Sequence, residues 1–254
     1  MRRLIRVLAV IVIVIAASYL FFELKGNWYN EKIYTDLLME PEQSQGDSAG
    51  EPVLRYSLEE LKKVNPDCVG IIEVLGTGIY YPVVISDKED GLYYMNRNFY
   101  QEKDGRGSIF MDYRCDPEKP STNLMFYGHR MRNNQMFAQL KQYKSKEFWK
   151  AHQIIYYTDE NGTKQYQIFA AYLSGDPEGM DETQKRYQME FIEGDLAEER
   201  NKFLSAVKSW SFYDTGVTVD AEKTEEFITL RTCDYAVNNG RISVVAKLTG
   251  KMTN

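Results

Sequence analysis

Hydrophobic positions along the chain fall into three regimes. From Val7 to Phe22 the sequence is apolar apart from Ser18, and Arg2, Arg3 and Arg6 stand ahead of it. A helix over this run spans about 24 Å at 1.5 Å per residue. Starting at Leu4, with Arg6 snorkelling, it reaches about 28 Å, enough for a hydrocarbon core of about 30 Å. A basic flank stays in the cytoplasm, so a single-pass protein of the cell membrane is expected, with everything after Lys25 outside. The alternative is a signal peptide cleaved at Ala16-Ala17-Ser18. The apolar run continues through Tyr19-Leu20-Phe21-Phe22, which favours the uncleaved anchor. Either way the body is exported.

The second regime is amphipathic, then polar. Trp28, Tyr29, Ile33, Leu37 and Leu38 recur near helical spacing within 23–40, and Pro41 to Pro52 (PEQSQGDSAGEP) reads as linker. The expected organisation is an anchor with a short cytoplasmic tail over 1–25, a helical stalk and linker over 26–54, and a body over 55–254.

In the body, Ser57-x-x-Glu60 predicts a short capped helix that Asn65-Pro66-Asp67 closes. β-rich runs follow at Gly70–Leu75, Ile79–Ile85, Ser108–Met111, Asn123–Tyr127, Gln153–Thr158, Gln165–Leu173, Glu226–Thr232 and Arg241–Leu248. Met136–Ala151 predicts two short helices and Asp195–Trp210 a longer one, with Leu196, Phe203, Leu204 and Val207 on one side. Eight strands with few helices predict a mainly β fold, a closed or nearly closed barrel. No internal repeat is visible.

Composition narrows the chemistry. The 254 residues carry a net charge of −6, and three arginines lie in the acid-free N-terminal run, so the body is more acidic still. That argues against nucleic acid as a partner. Three cysteines are too few for a disulfide scaffold, and no C-x₂-C knuckle suggests a metal. Two histidines leave a short list for any imidazole chemistry.

The last two strands carry the strongest chemical signal. Ile228, Leu230 and Thr232 face one way, and Phe227, Thr229 and Arg231 the other; in the following strand Ile242, Val244, Ala246 and Leu248 form the apolar face. Asn238-Asn239-Gly240 is turn chemistry. Paired as an antiparallel hairpin, these strands place Cys233 at the same end as Arg241. A cation beside a cysteine favours thiolate, and an arginine can donate hydrogen bonds to the oxyanion of a tetrahedral intermediate. His129, in the Tyr127-Gly128-His129-Arg130 exit from a strand, can carry the leaving group's proton. Taken singly, each residue has a plainer reading: a buried small hydrophobe for Cys233, a solvated charge for Arg241, a hydrogen-bonded structural imidazole for His129. His152 reads as surface, and Cys68 and Cys115 as structural, with a disulfide between them open.

Thr229-Leu230-Arg231-Thr232-Cys233, followed by Arg241 opening Ile-Ser-Val-Val-Ala-Lys-Leu, resembles the sortase signature. Asn123-Leu-Met-Phe-Tyr-Gly-His129 resembles the segment that delivers the sortase histidine. Class B in particular is suggested by Asn65-Pro66-Asp67 with Gly70-Ile71-Ile72, Tyr81-Pro82-Val83-Val84, Gly107-Ser108-Ile109-Phe110-Met111-Asp112, Met136-Phe137-Ala138-Gln139-Leu140 and the long helix between the sixth and seventh strands. The resemblance covers about 55–250.

It implies a sortase-type barrel and a membrane-bound cysteine transpeptidase of a Gram-positive surface, working without cofactor or metal. Cys233 would attack the threonine carbonyl of an NPxTx-like C-terminal sorting signal, His129 would exchange protons, and Arg241 would hold the oxyanion. A peptidoglycan precursor or cross-bridge amine would resolve the thioester. Met95, Tyr127, Thr232 and Asp234 would line the substrate groove, Asp234 alternatively stabilising its loop. Arg231 stands where the commoner form, TLSTC, has serine, which adds a cation to the groove floor. A pilin-polymerising sortase, an exported cysteine hydrolase and an inactive binding module are the competing readings.

Overall fold

The computed structural model describes residues 2–37, 57–117, 119, 121–175, 177–194, 196–224, 226–234 and 239–252. The linker expected at Pro41–Pro52 and most of the turn before Arg241 lie outside them. Two compact units result, 1–57 and 58–254.

The first unit is the helix α1, Arg2–Leu37. It continues through the boundary expected at Lys25, because neither Gly26 nor Asn27 breaks a helix as a proline would. Between Arg6 and Phe21 its described side chains are exposed. Among the described residues no helix is long and apolar enough to cross a membrane.

The second unit opens with α2, Leu58–Val64, and then builds the strands β1 (Cys68–Val74), β2 (Tyr80–Val84), β3 (Ile109–Met111), β4 (Asn123–Tyr127), β5 (Ile154–Asp159), β6 (Gly162–Ser174), β7 (Phe227–Cys233) and β8 (Arg241–Met252). They close into one barrel in the order β1-β2-β3-β4-β7-β8-β6-β5. Two of its pairings, β2 with β3 and β4 with β7, are parallel. Closure removes the free edges that eight short strands would otherwise expose.

Strand alternation sorts side chains into an interior and an outer layer. Leu124 pairs with Ile228, Phe126 with Leu230, and Leu230 with Val244 across three neighbouring strands, and all are buried. The opposite face carries Phe227, Val245, Phe169 and Tyr172, which pack under α5 (Ala197–Trp210) through Phe203, Leu204 and Val207. Phe191 stacks on Phe203 with ring centroids 4.4 Å apart. Burying each such ring contributes roughly 1.5–3 kcal/mol, so the two-sided sandwiching of β7 and β8 sets their position firmly.

Between β4 and β5 the chain forms a 3₁₀ helix, Ala138–Lys144, and α3, Lys146–Ala151, the two short helices expected there. His152 caps α3, and its Nδ1 lies 3.2 Å from the Leu75 carbonyl. Between β6 and α5 lie a helical turn, α4 (Glu182–Lys185), and a π-helical turn, Arg186–Glu190. Polar, aperiodic sequence gave no sign of either.

Cys68 and Cys115 are both buried free thiols, so the open question of a disulfide is answered by two separate sulfhydryls. Burial pushes the Cys68 thiol up to about 11 and the Cys115 thiol up to about 12, from an ordinary value of 9.0. In each case the folded state holds the proton longer than the unfolded chain does. The resulting stabilisation is complete below about pH 9 and is lost as pH rises toward 11 or 12. Both thiols should therefore resist a disulfide exchange reagent at pH 8 until denaturant is added, while Cys233 reacts in the native state; native-state labelling of Cys68 or Cys115 would contradict this burial.

Candidate active site

β7 and β8 place the first two groups. Their antiparallel register runs from Phe227 opposite Lys247 to Cys233 opposite Arg241, so sulfur and guanidinium leave adjacent strands at the same end. The third group comes from β4, which runs parallel to β7 with Tyr127 opposite Arg231. Parallel strands deliver their C-terminal residues to a common edge, and the Gly128 amide donates to the Arg231 carbonyl at 3.2 Å. His129 thus emerges beside Thr232 and Cys233. Only glycine fits at 128: a Cβ there would overlap Ile109 Cδ1 and lie 2.9 Å from the Phe137 ring.

A cleft of about 60 Å³ opens at this edge, lined by Met95, Phe110, Tyr127, Gly128, His129, Arg231, Thr232, Cys233 and Arg241. The three residues singled out for chemistry share it. Cys233 is half-buried and unpaired with another cysteine. Arg241 Nη1 donates to the Asn239 and Gly240 carbonyls, each at 3.0 Å. Those bonds moor the guanidinium at the base of its loop and leave the Nε and Nη2 donors outside them.

The imidazole is held by the main chain. His129 Nε2 lies 2.7 Å from the Met95 carbonyl oxygen. A carbonyl only accepts, so Nε2 carries the hydrogen and Nδ1 is the atom left to exchange a proton. Met95 sits in a 3₁₀ turn, Tyr93–Asn96, pressed against Gly107. At Gly107, φ is +61°, and a Cβ would stand 2.5 Å from the Met95 oxygen and 2.7 Å from that of Tyr94. Met95, expected in the groove, therefore contributes its backbone as well as its side chain.

Tyr127 donates to Asp112 Oδ2 at 2.9 Å, and Arg114 grips the same carboxylate with two bonds of 2.8 and 2.7 Å. Burial pushes the Asp112 carboxyl up, but the Arg114 bonds and charge outweigh it and hold it below the ordinary range. Burial drives the Tyr127 phenol well above its usual value, so it stays a neutral donor. The Phe110 ring lies 5.4 Å from that of Tyr127.

Asp234 takes a different place from the groove position expected of it. Its side chain is 2% exposed, with Lys144 Nζ at 2.8 Å and Arg130 Nη1 at 3.7 Å. Its amide donates to the Gly240 carbonyl at 2.8 Å. The carboxylate ties the residue after Cys233 to the residue after His129 and to the helix beyond, the loop-stabilising alternative. Thr232 is also buried, and its hydroxyl has no partner among the described residues. Arg231, expected as an added cation on the groove floor, does border the cleft, but it is buried there, donating to the Gln188 carbonyl and to Ser174 Oγ. Among the described residues no group of three or more His, Cys, Asp or Glu side chains is placed to hold a metal ion.

Met95 O, Asp112, Arg130, Lys144, Ser174 and Gln188 were invisible to sequence reasoning as parts of this site. Each reaches it through a contact between segments distant in the chain.

Residues 72–249 match the family model described as the sortase domain. A curated Sortase B of Listeria monocytogenes is 33% identical over 235 residues, 90% of this chain and 89% of that one. The crystal structure of a Clostridium perfringens sortase B superposes with a TM-score of 0.67 at 32% identity, covering 76% of this chain and 100% of the other. A Staphylococcus aureus sortase B–substrate complex does so with a TM-score of 0.66 at 31% identity, covering 77% and 85%. A thiol, an imidazole and a guanidinium brought to one barrel edge, on a chain that shares this sequence and topology over most of its body, identify it as a member of the sortase family of cysteine transpeptidases, in class B.

Proposed function

We propose that the chain is a membrane-anchored transpeptidase that cleaves an NPxTx-like sorting signal and transfers the released acyl group to an amine of the cell wall. The observation that carries this reading is the pairing of Cys233 with Arg241 in the cleft that His129 also lines. In the proposed cycle the Cys233 thiol gives its proton to His129 Nδ1, the resulting thiolate adds to the threonine carbonyl carbon, and the oxygen takes up the negative charge that Arg241 stabilises with hydrogen bonds. Collapse breaks the peptide C–N bond as His129 Nδ1 gives its proton to the departing amine, leaving a thioester on Cys233. An incoming amine attacks that thioester, His129 Nδ1 takes the proton back, and the C–S bond breaks to restore the thiolate. A related sortase B has been solved as a complex with substrate, which supports a peptide in the equivalent groove.

The anchor rests on sequence and helix continuity. α1 is unbroken over Arg2–Leu37 and carries the apolar run Val7–Phe22 behind its three arginines. In sequence the run from Leu4, with Arg6 snorkelling, spans about 28 Å, and the spanning reading rests on that pattern, since no helix among the described residues is itself long and apolar enough to cross a membrane. The basic flank orients the body to the outside.

With full-length protein in detergent, an NPxTx peptide and triglycine, Cys233→Ala is expected to abolish transfer. His129→Ala and Arg241→Ala should each reduce kcat/KM by about 10² or more. Retained turnover in the Cys233 variant would remove the nucleophile from the proposal, and turnover indifferent to the amine would make the enzyme a hydrolase.

The carbonyl-held imidazole has its own signature. In ¹⁵N-histidine-labelled protein, with His152→Gln used for assignment, neutral His129 should show a protonated Nε2 and an unprotonated Nδ1. The reverse pattern would mean that the Met95 contact is absent in solution.

For the anchor, membrane fractions of cells expressing the chain should retain it through carbonate extraction, with the body open to external protease. Release of the intact chain by carbonate would contradict a spanning helix.

A further inference from the structure

Arg231, buried in the second unit, has no anionic partner among the described residues. Arg231 is 2% exposed, and arginine keeps its proton under all ordinary conditions. Its guanidinium bonds are to neutral acceptors, the Gln188 carbonyl and Ser174 Oγ, the latter at 3.0 Å. Among the described residues no carboxylate pairs with it. The ionisable groups that face it are Tyr172 on β6, Tyr127 on β4, Arg241 on β8 and Cys233 on its own strand. Burial makes its charged form costly, which is visible in the downward shift of its proton affinity.

An uncompensated buried cation of this kind is expensive, and a purely structural clamp between a carbonyl and a hydroxyl would be met at lower cost by a neutral donor. Position supplies a reason for the charge. Arg231 lies two residues before Cys233, so both side chains leave the same face of β7, about 7 Å apart at the strand rise. That face is roofed by α5 over Phe227 and Val245, and it opens into the cleft at Cys233. Arg231 borders that cleft beside Cys233 while remaining almost wholly buried. Its field therefore reaches the cleft through protein rather than through water, where charge interactions are screened least.

Both tyrosines that face it remain neutral, since burial drives each phenol upward, and Arg241 has the same sign. The Asp112 carboxylate beyond Tyr127 is already bonded by Arg114, so the negative charge left for Arg231 to meet arises in the cleft, on the Cys233 sulfur or on a substrate oxygen bound there.

We infer that Arg231 is a positioning residue of the reaction: a fixed, buried cation in the cleft wall that stabilises the negative charge carried first by the Cys233 sulfur and then by the carbonyl oxygen of the intermediate. Arg241 makes hydrogen bonds to that oxygen, whereas Arg231, whose guanidinium is bonded to the Gln188 carbonyl and Ser174 Oγ, acts through its charge. The kinetic part of this inference rests on the transpeptidase reading; the chemical reactivity of Cys233 does not.

The test uses the full chain with Arg231→Gln, which keeps amide donors but removes the charge, and Arg231→Lys, which keeps the charge but not the two-pronged guanidinium. Iodoacetamide alkylation of Cys233 at pH 7 without peptide, followed by mass spectrometry, should slow at least tenfold in the Gln variant and stay within threefold of wild type in the Lys variant. Transfer kinetics should show the Gln loss in kcat, with KM changed less than threefold. Wild-type alkylation in a folded Gln variant would overturn the inference. So would an equal tenfold loss in both variants, which would make Arg231 a hydrogen-bonding clamp only. If Arg231→Gln gives no folded protein by circular dichroism, the Lys variant decides alone: alkylation within threefold of wild type supports the charge role, and a tenfold fall refutes it. Failure of the wild-type enzyme to transfer peptide would end the transpeptidase reading and leave the alkylation comparison standing.

Discussion

The site depends on strand register at one edge of the barrel. A slip of one residue between β7 and β8 would turn either Cys233 or Arg241 to the apolar interior, because side chains alternate with a period of two. What prevents the slip is burial on both faces: Leu230 and Val244 pack inside while Phe227 and Val245 pack under α5. The parallel pairing of β4 with β7 then brings His129 to the same edge. Chemistry at the rim is thus held by packing along the length of the strands.

Electrostatics at the rim run against those of the whole molecule. The chain is acidic overall, yet Arg231 and Arg241 both line the cleft, with Arg130 close behind. The two nearby carboxylates are already engaged, Asp112 by Arg114 and Asp234 by Lys144 and Arg130. Buried ion pairs of this kind add little net stability but fix geometry when fully bonded. Asp112 fixes Tyr127, and Asp234 fixes the loop that follows the nucleophile. The positive excess that remains suits the anionic intermediates of the proposed reaction.

His129 shows the same economy of parts. Its orienting partner is a main-chain carbonyl, which can only accept a hydrogen bond and so leaves Nδ1 turned away from that contact. A carbonyl serves this purpose only if the turn that carries it cannot move, and the close approach of Gly107 to Met95 secures that.

Much of this was legible in the chain. Eight strands, the β7–β8 hairpin with its register, and the short list of sulfur, imidazole and guanidinium follow from local periodicity, turn chemistry and the scarcity of cysteine and histidine. Asn123–Tyr127 was delimited to the residue, since its apolar run is bounded by clear polar signals. The π-helical turn at Arg186–Glu190 was not, because such a turn is stabilised by what it packs on rather than by its own pattern. Asp234 and Arg231 make the point most sharply. By resemblance both read as groove residues beside Cys233. Whether a charge faces water or lies buried is set by segments far off in sequence, Lys144 and Arg130 for the aspartate, Gln188 and Ser174 for the arginine. Sequence alone determined which groups could react and on which strands they lie, because those properties belong to neighbouring residues. The tertiary structure decided which of them meet, and in what dielectric, because long-range contacts and burial belong to no single segment.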